Sequence, residues 1–91
     1  MNSAIPLARK GRAMTCWAYV FITTTNPGPR TAVQAIRPIP GVVRADALFG
    51  TPDVIAIVEG SDLRAMDAVI DQIVELAEVV GTETKVARWI D

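Results

Sequence analysis

Between Phe49 and Ile73 the chain changes character twice in quick succession, and this limits its fold more than any other stretch. A turn built from Gly50, Thr51, Pro52 and Asp53 opens into the apolar run Val54-Ile55-Ala56-Ile57-Val58, which ends at Glu59. A run rich in Val and Ile and bounded by turn residues reads as a buried strand. Asp62 then offers a side-chain oxygen to cap a helix, and Leu63, Met66, Ile70 and Ile73 recur at helical spacing. Backbone amides and one carboxylate thus stand beside a rigid strand, so the turn is the first place to look for a ligand.

The remaining elements follow from the same signals. Trp17 to Thr24 is dense in aromatic and β-branched residues and reads as a strand. Asn26-Pro27-Gly28-Pro29 is a turn, with Pro29 suited to a helix's first turn. A short helix over Thr31 to Ile36 ends before Pro38 and Pro40. Val42 to Phe49 is expected as a second strand, with Val43, Ala45, Ala47 and Phe49 on one face and Arg44 and Asp46 on the other. The four-residue turn makes an antiparallel hairpin to the next strand. The second helix is expected from Leu63 to about Val79 with Gly81 as its terminator, and Thr82 to Ile90 as the last strand.

The order strand, helix, strand, strand, helix, strand is the ferredoxin-like βαββαβ arrangement: α+β, with two helices on one face of a four-stranded antiparallel sheet. Its most apolar strands, the first and third, are the pair that this topology places in the middle. The other face would carry Trp17, Tyr19 and Phe21, or their neighbours, into water unless a second copy covered it. Arg44, Asp46, Glu83, Lys85 and Arg88 read as solvated residues of edge strands, available for cross-strand or intersubunit pairs. Trp17 and Trp89 read as core or interface residues.

Ninety-one residues suit one domain, expected over 16–91, with 1–15 as a flexible basic tail. An apolar content of 51% in so short a chain favours completing the core by self-association. Setting aside Arg9, Lys10 and Arg12 from the nine basic residues leaves six against ten acidic ones, so the folded part is acidic and suited to repel a phosphate backbone. The chain has no histidine and one cysteine, Cys16, which excludes Ser-His-Asp and Cys-His catalysis and the usual zinc clusters within one chain. No metal or cofactor is expected. The unpaired thiol, read as an inert small apolar residue, fits a reducing compartment; with no signal-peptide core and no membrane-length apolar run, a cytoplasmic location is expected.

Gly41-Val42-Val43, then Phe49-Gly50 with Asp53 three residues after the glycine, then the strand ending in Glu59, resemble the effector domain of Lrp/AsnC transcription regulators. The helix from Asp62-Leu63 through Met66-Asp67 to Ile73 and the closing Gly81-Thr82-Glu83-Thr84-Lys85-Val86 extend the likeness. The resemblance implies a homodimer formed sheet to sheet, higher homo-oligomers of dimers, and a small amino acid or related metabolite bound between dimers. By the same resemblance the ligand residues are Gly50, Thr51 and Asp53 of the turn and Thr82 and Thr84 of the last strand. Full regulators of the family carry an N-terminal helix-turn-helix; only about sixteen residues precede the first strand here, so a stand-alone module is expected. Such a module would work with a full-length regulator and have no specific DNA binding of its own. Where the family often has an aromatic near the glycine, this chain has Thr51 and Pro52. The alternative of another class is a small cofactor-free enzyme of the dimeric α/β-barrel type, which the missing histidine and apolar strand faces disfavour.

Overall fold

The computed structural model describes residues 15–25, 28–88 and 90. The elements are β1 (Cys16–Thr24), α1 (Pro29–Ile36), β2 (Val42–Ala47), β3 (Val54–Gly60), α2 (Leu63–Val74) and β4 (Val79–Val86). All pairings are antiparallel and the sheet order is β2-β3-β1-β4, the ferredoxin-like arrangement with the two apolar strands in the middle. Residues 1–14, which hold the expected basic tail, and Trp89 lie outside the described residues, as do the first two positions of the Asn26-Pro27 turn.

Alternation along the strands sorts residues to two faces. Ala18, Val20 and Ile22 of β1 and Val54, Ala56 and Val58 of β3 are sealed from solvent against Ala32, Val33 and Ile36 of α1 and Met66, Val69 and Ile73 of α2. Cys16 packs at the margin of this core. Asp62 caps α2, its carboxylate accepting the Ala65 amide at 2.8 Å. The buried stripe of α2 is Met66, Val69 and Ile73, while Leu63 is exposed. Gly60 lets α2 come close: a Cβ there would stand 2.4 Å from the Met66 backbone nitrogen and 2.9 Å from the Ala65 carbonyl carbon.

The opposite face carries Trp17, Tyr19, Phe21 and Ile57, and among the described residues no helix lies over it. Trp17 is nevertheless buried, packed with Ile57, Tyr19, Val43 and Ala87, and its indole N–H donates to the Tyr19 hydroxyl at 3.3 Å; Tyr19 and Phe21 are half-buried.

Four sequence expectations are corrected. α2 ends at Val74 rather than near Val79, and Gly81 lies inside β4 opposite Thr23 instead of terminating the helix. Residues 75–78 are good helix formers, but Val79 pairs with Thr24 and the sheet claims the segment. β2 stops at Ala47, leaving Phe49 fully exposed at the hairpin tip. The register slips between Val42 and Arg44, so Val43 joins the Trp17 cluster on the helix-free face while Ala45 is buried in the core. That bulge puts the two residues on opposite faces, where strict alternation had them on one. Finally, Arg44 pairs with Asp46 and Lys85 with Glu83 along the same strand, at 2.6 and 3.0 Å, rather than across strands.

Candidate functional site

The hairpin between β2 and β3 is shaped by Gly50, whose φ of 107° lies where side chains are disfavoured, and by a cis Thr51-Pro52 peptide. Gly50 and Thr51 are exposed and Asp53 is half-buried. Asp53 ties three strand ends together. Its carbonyl accepts the Leu48 amide at 2.8 Å and its amide donates to the Ile22 carbonyl at 3.0 Å. Its carboxylate reaches past the turn to the end of β1: Oδ1 accepts the Thr24 backbone N–H at 3.0 Å and Oδ2 accepts the Thr24 hydroxyl at 2.7 Å. Each oxygen uses one of its two lone pairs in this way, so a ligand ammonium still has acceptor sites. Sequence reasoning missed Thr24; its only signal was the Thr23-Thr24-Thr25 run just before the turn.

The five residues expected at a ligand site fall into two groups. Gly50, Thr51 and Asp53 sit together in the hairpin. Thr82 and Thr84 sit on β4, at the other side of β1: Ile22 has Val54 opposite it on one side and Thr82 on the other. Two strand spacings therefore separate the hairpin from Thr82, about 9–10 Å. Thr84 and Val86 wall an open trough of about 490 Å³ whose other side is Leu63, Arg64, Met66, Asp67 and Ile70 of α2. Its charged rim, Arg64 and Asp67, was also missed; the two residues lie three apart on one helix and so share a face.

This geometry defines a ferredoxin-like α+β domain whose helix-free face is apolar at its centre, around Trp17, Tyr19, Phe21 and Ile57, and bordered by Arg44, Asp46, Glu59, Glu83 and Lys85. The family model of the Lrp/AsnC ligand binding domain matches residues 17–88, and the chain belongs to that family. Among solved structures it is similar to TTHA0845 from Thermus thermophilus, at 28% identity and a TM-score of 0.76, covering 84% of this chain and 96% of that one. It is similar as well to the hypothetical protein PHS023 from Pyrococcus horikoshii, at 24% identity and a TM-score of 0.74, covering 82% and 92%. The transcriptional regulator NMB0573 from Neisseria meningitidis, solved as its L-Met complex, shares the fold at 18% identity and a TM-score of 0.72, with 97% of this chain matched to 59% of that one. No curated protein matches the chain. Among the described residues no group of three or more His, Cys, Asp and Glu side chains could hold a metal ion, and no helix is long and apolar enough to cross a membrane.

Proposed function

We propose that this chain is a non-enzymatic effector module in transcription regulation, which binds a small amino acid and assembles as a homodimer and higher oligomers. The observation that carries the reading is the family match over nearly the whole described chain together with the Asp53 hairpin, which presents a carboxylate and exposed backbone at a strand end. The L-Met complex of the Neisseria regulator supports an amino acid as the ligand. TTHA0845 is matched over 96% of its length, which supports this domain acting as a unit, and a full-length regulator of the family is its proposed partner.

The chemistry follows from the two groups of residues. Asp53 holds the ligand ammonium, and the amides around Gly50 and Thr51 with the hydroxyls of Thr82 and Thr84 hold its carboxylate. On the family likeness, the hairpin and the threonine strand act from different protomers, and the site is complete only in the oligomer. The apolar face around Tyr19, Phe21 and Ile57 forms the sheet-to-sheet dimer contact.

A thermal-shift screen with the twenty amino acids identifies the ligand, since binding to the folded state alone raises apparent stability. Asp53→Asn keeps a carbonyl oxygen for the Thr24 amide and so keeps the fold. Calorimetric titration should show the lost charge weakening binding by about 1.5–3 kcal/mol, one to two decades in affinity. Unchanged affinity, or no amino acid that binds, leaves the hairpin a purely structural device.

A further inference from the structure

The two edges of the sheet are finished differently. On β2 the register slip at Val43 bends the strand, and the Arg37 side chain closes over its rim. Arg37 Nε donates to the outward carbonyl of Ala45 at 3.0 Å, and its guanidinium lies 3.7 Å from Asp46. Bulges and covering charges of this kind keep an edge from pairing with another chain.

β4 carries its bulge at its start, where Val80 is the surplus residue between the Thr24–Val79 and Thr23–Gly81 pairs; beyond it the strand runs in unbroken register with β1 from Gly81 to Val86. The Ala87 amide donates to the Trp17 carbonyl at 3.0 Å, which sets the alternation. Gly81, Glu83 and Lys85 turn their backbone groups toward β1, and Thr82, Thr84 and Val86 turn theirs away. Among the described residues nothing bonds to those outward groups, and every residue from Val80 to Val86 is exposed.

We infer that β4 is an association edge whose occupant is β4 of a second copy, paired antiparallel about Thr84. In that register Thr84 faces Thr84 and Thr82 faces Val86, so every outward amide and carbonyl finds its counterpart, about six hydrogen bonds in all. Glu83 of each copy falls opposite Lys85 of the other, in the closer, non-hydrogen-bonded pairing where side chains meet. The charges select the register. Moving the centre one residue either way sets Glu83 against Glu83 or Lys85 against Lys85, and like charges directly opposed are unfavourable. The dyad stands perpendicular to the sheet, so the result is a continuous eight-stranded sheet with all helices on one side. Its helix-free face stays open, so edge pairing is compatible with face-to-face dimers and independent of the ligand reading.

Sedimentation velocity tests this on the full chain. Val86→Pro removes an outward N–H and no bond to β1. It should halve the mass of the assembly while circular dichroism stays unchanged. Glu83→Lys and Lys85→Glu should each do the same alone. An equimolar mixture of those two variants should recover the wild-type mass, because every facing pair between them is again of opposite charge. The mixture decides the matter even where the proline variant fails to fold. A wild-type chain that is monomeric, or an unchanged mass in both charge variants, overturns the proposal.

Discussion

The grip of Asp53 on Thr24 can be measured one bond at a time. Thr24→Val removes the hydroxyl that donates to Oδ2 at 2.7 Å and leaves the backbone donation to Oδ1 at 3.0 Å in place. Valine is isosteric and equally suited to a strand, so little else changes. A hydrogen bond to a charged group is worth about 1.5–3 kcal/mol, and this one is only part-buried, which places it near about 1.5 kcal/mol. For a domain of 91 residues that is a fall in Tm of about 6–12 °C. Asp53→Ala removes both bonds and should cost about 3 kcal/mol. In that background Thr24→Val has nothing left to break and should cost less than about 0.5 kcal/mol, giving a coupling of about 1 kcal/mol or more. Urea unfolding followed by tryptophan fluorescence supplies the four stabilities, at one protomer concentration and with m compared across variants. Additive losses would mean that the 2.7 Å contact contributes nothing and that Asp53 acts only within its own turn.

Two further outcomes are expected. Gly60→Ala would drive a Cβ to 2.4 Å from the Met66 backbone nitrogen, and since backbone cannot rotate aside, α2 must shift, costing about 1–3 kcal/mol by chemical denaturation. Asp62→Ala leaves the Ala65 amide without its cap and should cost about 0.5–2 kcal/mol, with Asp62→Asn recovering most of it in the same assay.

The element order, the central pairing of the first and third strands, and the hairpin were all legible because each rests on a local signal: β-branched runs, Gly and Pro punctuation, a capping aspartate. What escaped was decided by contacts between distant segments. Nothing in Glu75-Leu76-Ala77-Glu78 announces a helix end, since these residues favour helix; the partner strand, through Thr24 and Val79, sets the boundary. The parity of β2 was misread for a similar reason, because an inserted residue leaves no composition signal. At the site, the acidity and glycine of the turn were visible, but the distance between Asp53 and Thr82, and the engagement of Thr24, depend on β1 lying between them.

The slip at Val43 has a consequence for how this strand can evolve. A two-residue repeat permits only even steps between positions that look inward, yet Val42 and Ala45 both contact the core at an odd separation. The surplus residue works as a phase reset. Upstream of it the strand keeps time with the Gly41 turn, and downstream with the hairpin, and neither end dictates the other's alignment. Insertions or deletions near the turn at Gly50 can be absorbed there without unseating Val42. A chain lacking that one residue would have to choose which of Val42 and Ala45 to bury.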